Sequence, residues 1–258
     1  MRFFSLLLLL LPGFVSGQSV PPVSGCGFAG STTLYKYRRQ QWVVTDDADS
    51  RVQTPPASTF KVINLLIALE TGVIRDENEV VRWVGKTDTT IYGYRPDIYH
   101  DMSVKEAFEV SAGWVFIELA KKIGPKRYRQ FLTACGYGNA EVKKGDFWNF
   151  GPLKITPRNQ VELLVKIYEE KLPFSKRSFS ILKKVMITEE KDGRVIRSKT
   201  GWGMIDGKDI GWWIGYVEKD GDVCFFATRL TKPRTDKNPD FSRCRKDVTR
   251  KVLGENGF

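Results

Sequence analysis

Pro55-Pro56-Ala57-Ser58-Thr59-Phe60-Lys61 runs into the apolar stretch Val62-Ile63-Asn64-Leu65-Leu66-Ile67-Ala68-Leu69, and sets a hydroxyl and an amine three residues apart where a helix begins. Side chains at i and i+3 share one helix face, with Cβ atoms about 5–6 Å apart, so Lys61 can reach the Ser58 hydroxyl. The unpaired N–H groups and positive dipole end of such a helix favour negative charge on Ser58. A base one turn beyond a hydroxyl is the arrangement of an activated nucleophile. The same spacing also arises as a helix cap beside a solvated lysine, and the chain holds a second copy, Ser180-Ile181-Leu182-Lys183. Context separates the two. Lys61 is flanked by Phe60, Val62 and Ile63, whereas Lys183 follows Lys176-Arg177 and precedes Lys184, and reads as surface.

The chain has 258 residues, 41% hydrophobic and 28% charged, an ordinary balance for a globular protein with one large core. Arg2, the short apolar run 3–11 and the small residues Val15-Ser16-Gly17 have the layout of a secretory signal peptide over residues 1–17, leaving residues 18–258 as one mature domain. That run is too short for a transmembrane anchor, which needs about 20 residues. Localisation is therefore expected to be periplasmic or secreted; Val23-Ser24-Gly25-Cys26 offers a less favoured lipoprotein site at Cys26. The four cysteines allow three complete pairings, and spacing does not choose among them. Cys135 and Cys224, in apolar contexts, also read as buried thiols. With His100 as its single histidine, in a turn-like setting, the chain is a poor candidate for Ser-His-Asp or His-rich zinc chemistry, so lysine is the leading base. A net charge of +11 is spread along the chain among acidic residues, with no dense basic arm. It suits capture of small anions better than nucleic acid.

Residues 32–45 alternate as one or two strands, a helix runs from Ser58 to a stop near Gly72, and Ser103-Val104-Lys105-Glu106 is a capping box. Residues 115–122 and 157–170 have helical spacing. After about residue 193 the pattern changes to three antiparallel strands around 198–201, 210–217 and 223–228, with a hairpin turn at 219–222, and a basic helix over 241–253 closes the chain. The fold class expected is α+β: a sheet lobe of about 30–57 and 195–258, and an inserted helical lobe of about 58–194 with Ser58 in the cleft.

Three further motifs follow in order: Ser111-Ala112-Gly113, Tyr137-Gly138-Asn139 and Lys199-Thr200-Gly201. Singly they read as a helix hydroxyl, a turn and an accident. As a set the chain resembles the serine β-lactamase and penicillin-binding protein superfamily. Within it the chain is similar to the class D, oxacillinase-type enzymes, through Ser58-Thr59-Phe60-Lys61, Tyr137-Gly138-Asn139, Trp148 with Gly151-Pro152-Leu153-Lys154-Ile155, Lys199-Thr200-Gly201-Trp202 and Gly211-Trp212-Trp213-Ile214-Gly215. The resemblance spans residue 30 to the C-terminal helix. It implies an antiparallel sheet flanked by helices and a β-lactamase that opens penicillin-type rings through a Ser58 acyl-enzyme. Lys61, carboxylated by CO2, would be the general base, with the Trp148 indole as donor to the carbamate. Ser111 would relay a proton, and the N–H groups of Ser58 and Trp202 would form the oxyanion hole. Lys199, Thr200, Gly201 and Arg245 would hold the substrate carboxylate. No metal is implied.

The departure is Gly113, where the family usually has a valine packed over the catalytic lysine; either Trp114 refills that space or water enters it. The alternative functions are a β-lactam sensor that stays acylated at Ser58 and a small cell-wall peptidase. Loops near 85–105 and 203–210 are expected to set the substrate profile, which the sequence leaves open, as it does the choice between monomer and homodimer.

Overall fold

A computed structural model describes residues 26–143 and 145–258, so the expected signal peptide lies outside the described residues. The chain enters through a hairpin of β1 (Ala29–Lys36) and β2 (Gln41–Val44), then α1 (Asp47–Ser50). A 3-10 turn, Ala57–Phe60, leads directly into α2 (Lys61–Glu70). The middle holds β3 (Val80–Val81), α3 (Thr89–Tyr92), β4 (Met102–Ser103), α4 (Val104–Glu109), α5 (Gly113–Ile123), α6 (Pro125–Cys135), α7 (Pro157–Tyr168) and α8 (Lys176–Val185). The chain returns through β5 (Ile187–Lys191), β6 (Arg194–Ile205), β7 (Lys208–Lys219) and β8 (Asp222–Pro233), and ends in α9 (Phe241–Glu255). The large sheet has the order β2-β1-β8-β7-β6-β5, every pair antiparallel. This is the α+β architecture the resemblance implied.

Period-2 alternation on β7 and β8 divides the core. Trp212, Ile214, Tyr216, Phe225 and Ala227 join the large cluster on the helical side. Trp213, Val217, Cys224 and Phe226 pack with Val252 and Leu253 of α9 on the opposite face. A sheet covered on both faces explains why these strands are apolar almost throughout. Helix α2 is buried along nearly its whole length, from Lys61 to Leu69, as befits a central helix that is apolar on all sides. Its capture between sheet and helices is what takes Lys61 out of water.

Some elements depart from the sequence reading. α6 and α8 lie outside the sequence reading: α6 buries only Tyr128, Leu132 and Cys135, so its period is faint, whereas α8 buries Phe179, Leu182 and Val185 on one clear face. β5 is an exposed charged edge strand without alternation. Half of the expected capping box forms. Ser103 Oγ accepts the Glu106 N–H at 3.1 Å, but the Glu106 carboxylate turns to His100 instead of back to Ser103.

Cys26 and Cys244 form a disulfide that closes 218 residues of chain, while Cys135 and Cys224 are free and buried. A thiol in a disulfide is not available for lipid attachment, which counts against the lipoprotein reading of Cys26. The bond ties the entry of β1 to α9, the helix carrying Arg245. Cross-links over long loops typically stabilise by about 2–4 kcal/mol. Cys26→Ser is expected to lower the unfolding free energy by that order in urea titrations under oxidising conditions; an unchanged midpoint would contradict a stabilising link.

Candidate active site

Ser58 lies in the 3-10 turn, not within the α-helix proper. In 3-10 geometry residues i and i+3 eclipse, and the Lys61 Nζ donates to Ser58 Oγ at 2.7 Å. The turn is held from several sides. Ala57 N donates to the Trp148 carbonyl at 3.1 Å. Thr59 Oγ1 donates to the Pro56 carbonyl at 2.6 Å and accepts from Gln160 Nε2 at 2.8 Å. The Trp212 indole reaches the Pro55 carbonyl at 3.0 Å. Ala57 itself is left-handed, with φ of 50°, and so is Ser111, with φ of 63°. Non-glycine residues in that region store on the order of 1–3 kcal/mol each and gather at functional sites.

Lys61 is 1% exposed. Its amine lies over the Phe116 ring, 5.3 Å from the centroid, and Phe60 in the same turn stacks on Trp148 at 5.0 Å. Burial lowers the Lys61 pKa from 10.5 to about 8, against an opposing pull from the Asp146 carboxylate. The decoy pair behaves otherwise: Lys183 donates to the Tyr168 carbonyl and to Glu170, and its side chain is a quarter exposed.

β6 supplies the facing wall. A Cβ on Gly201 would sit 3.2 Å from both Thr59 N and the Pro56 carbonyl oxygen, so the missing side chain is what lets the strand lie against the Ser58 turn. Ser198 N–H donates sideways to Met186 O, off the β7 ladder. Alternation then turns the N–H of Trp202 to the same open edge, facing the cleft. The Lys199 Nζ donates to Ser111 Oγ at 3.0 Å and to the Thr200 carbonyl at 3.1 Å. Arg245 of α9 donates to the Gly201 carbonyl at 2.6 Å and to Ser242 Oγ at 3.1 Å. Both cations are buried, and among the described residues their hydrogen-bond partners are all neutral oxygens. Burial drives the Lys199 pKa far down, helped by repulsion from Lys61, Arg245 and Lys246, and burial alone lowers Arg245 to about 10. Buried cations with neutral partners make a strong receptor for an incoming anion.

The expected site residues thus converge: Ser58, Ser111, Thr200, Gly201, Trp202 and Arg245 line one cleft of about 550 Å³, with Lys61, Lys199 and Trp148 buried behind it. Tyr137-Gly138-Asn139 braces the Trp148 segment, since Asn139 accepts from Lys154 N and donates to the Pro152 carbonyl. Apart from its two chain neighbours, Gly113 has open space where a side chain would begin. The Trp114 indole is occupied by the Ile98 carbonyl at 2.7 Å, and a Cβ added at residue 113 would meet nothing within 4 Å. The sequence reading missed a polar group beside Lys61: Asp146 accepts from Tyr92 Oη at 2.5 Å and from Asn149 Nδ2 at 2.8 Å. Burial raises the Asp146 pKa, opposed by those bonds and by Lys61. Its only sequence signal was nearness to Trp148. Among the described residues no group of three or more His, Cys, Asp or Glu side chains could hold a metal.

Two measurements follow from this geometry. Between pH 8 and 10.5 the unfolded chain keeps the Lys61 proton that the folded protein has released, so stability rises with pH through that window. Lys61→Met removes this cost; it is expected to be more stable than wild type at pH 6, by on the order of 1–3 kcal/mol, with the gap closing toward pH 10.5. A gap independent of pH would refute the buried amine. Gly113→Ala, at a position with room for a methyl group, is expected to be neutral or stabilising by up to about 1 kcal/mol; a loss of more than that in thermal unfolding would mean the space is filled.

Comparison with known proteins agrees with this geometry. The family described as penicillin-binding protein transpeptidase domain matches residues 35–253. The chain is 34% identical to β-lactamase OXA-10 of Pseudomonas aeruginosa over 234 residues, 89% of this chain and 85% of that one. It is 36% identical to β-lactamase OXA-48 of Klebsiella pneumoniae over 209 residues, 80% of this chain and 77% of that one. Among solved structures, the class D β-lactamase of Sebaldella termitidis superposes with a TM-score of 0.84 at 36% identity, covering 89% of this chain and 92% of that one. The class D β-lactamase YbXI from Nostoc gives 0.83 at 35% identity, covering 90% and 95%. With fold, cleft and sequence in agreement, the chain belongs to the class D β-lactamases of the penicillin-binding transpeptidase superfamily.

Proposed function

We propose that the protein is an exported β-lactamase that hydrolyses penicillin-type antibiotics through an acyl-enzyme on Ser58. The observation that carries this reading is the 2.7 Å contact between the Ser58 hydroxyl and a buried Lys61 amine whose pKa of about 8 leaves part of it neutral at physiological pH. The names of the relatives, all β-lactamases, support the same substrate class.

The ring carboxylate of the substrate docks on Lys199, Thr200 and Arg245, alongside Gly201, and its lactam carbonyl enters between the N–H groups of Ser58 and Trp202. Each such donor is worth about 10²–10³ in rate. Ser58 Oγ attacks the carbonyl carbon, the lactam C–N bond breaks, and the ring nitrogen takes a proton through Ser111, which Lys199 holds in place. Taken up by the neutral Lys61 amine, carbon dioxide forms a carbamate, a carboxylate-type base able to accept the serine proton and then that of the hydrolytic water. The residues suit that group: the amine is desolvated, the Trp148 indole is a pure donor of the kind a buried anion needs, and Gly113 lines the same cleft as Ser58 without a side chain of its own. The carboxylate of Asp146 works against it, since it favours the ammonium form.

Turnover of a chromogenic cephalosporin separates an enzyme from a sensor, as steady hydrolysis is expected rather than one stoichiometric burst. Added bicarbonate should raise the wild-type rate. Lys61→Ala should lose at least about 10²-fold in rate and ignore bicarbonate; equal turnover in both proteins would refute Lys61 as base.

A further inference from the structure

Five charged side chains line the cleft: Arg95, Asp209, Arg234, Lys237 and Arg245. Arg245 belongs to the receptor for the ring carboxylate. Arg95 is spent on Asp97, to which it is bonded through Nε and Nη2 at 2.6–3.1 Å. Asp209 is neutralised by Lys232 at 2.9 Å, and Arg234 stands only at its margin, 3.9 Å away. Lys237 has no carboxylate within ion-pair distance among the described residues; its Nζ donates to the Arg234 carbonyl at 3.0 Å. Two cations therefore face the cleft with their charge largely uncompensated.

Their placement is set by the sheet. β6 runs outward from Thr200 to Met204, whose register partner is Asp209, which in turn lies opposite Lys232 on β8. Arg234 follows at the end of β8, held to the β6–β7 turn by its N–H on the Gly207 carbonyl at 3.0 Å. A tight turn, closed by Asp236 N on the Pro233 carbonyl, brings Lys237 back beside it, while the Asp236 carboxylate is engaged by the Asn238 N–H. Four residue steps along the strand take Thr200 to Met204, about 13 Å. That length suits a penicillin lying along β6 with its ring carboxylate at Lys199 and Arg245 and its acyl side chain toward Arg234 and Lys237.

We propose that Arg234 and Lys237 form a second anion subsite, which makes the enzyme selective for dianionic β-lactams whose acyl side chain carries a carboxylate or sulfonate. The inference rests on the β-lactamase reading and names its substrate class. Cations at a cleft rim, partly shielded from solvent by the ligand, add modest charge-assisted bonds, so the preference is moderate.

Carbenicillin and benzylpenicillin differ by one side-chain carboxylate and provide the test. Arg234→Ala/Lys237→Ala is expected to lower the ratio of kcat/KM for carbenicillin over benzylpenicillin by about tenfold relative to wild type, chiefly through the KM for carbenicillin. In wild type, raising salt from 0.05 to 0.5 M, estimated to cut the screening length by about threefold, should reduce the same ratio. An unchanged ratio in the double variant, with both penicillins hydrolysed, would overturn the subsite alone. Failure of wild type to be acylated by either penicillin, followed by intact mass, would overturn the β-lactamase reading and the subsite with it.

Discussion

Taking the Lys61 amine out of water and setting it 2.7 Å from a serine hydroxyl is the interaction around which the molecule is built. A lysine at an exposed helix start would be an ammonium at neutral pH, a donor and nothing more. Enclosed by α2, Phe116 and the Phe60–Trp148 stack, it becomes an amine that is partly free of its proton. The cost of that burial is met by the large apolar cluster shared between sheet and helices. Strain at Ala57 and Ser111 is held by the same framework, through Trp212, Gln160 and Lys199.

Electrostatics in the cleft is arranged in tiers. Lys61, Lys199 and Arg245 are all buried, and burial keeps each below its ordinary pKa, with repulsion from the other two adding to the effect at Lys199. A monoanionic substrate relieves the repulsion at Lys199 and Arg245, while Asp146, tied to Tyr92 and Asn149, biases the Lys61 end. Farther out, Arg234 and Lys237 extend the positive field along the edge of β6. Gly113 lines the same cleft, with no side chain of its own to fill it.

Much of this was legible in the chain. The apolar neighbours of Lys61 separated it from Lys183, and the structure gives Lys183 an ordinary ion pair with Glu170. The change of pattern after residue 193 and the hairpin turn at 219–222 announced β7 and β8, whose two faces serve two separate cores. The close approach of Gly201 to the Ser58 turn was not legible, because the two lie far apart in the chain and neither carries a local signal of the other. The same physical limit hid the Cys26–Cys244 pairing, the Tyr92–Asp146 bond across 54 residues, and the Arg245 contact to Gly201 across 44. α6 and β5 carry little apolar pattern to read, whereas α8 does carry one, Phe179, Leu182 and Val185, set among basic residues that read as surface. Resemblance supplied the roles of Ser111, Trp148 and Arg245, which no spacing rule could have assigned.

The carbamate proposed for Lys61 has a direct spectroscopic test. Carbon-13 NMR of the purified protein in labelled bicarbonate should reveal a single carbamate resonance that grows in as pH rises through about 8 and is absent from Lys61→Ala. An active wild-type enzyme with no such resonance at saturating bicarbonate would contradict the proposal that the buried amine takes up carbon dioxide to become the base.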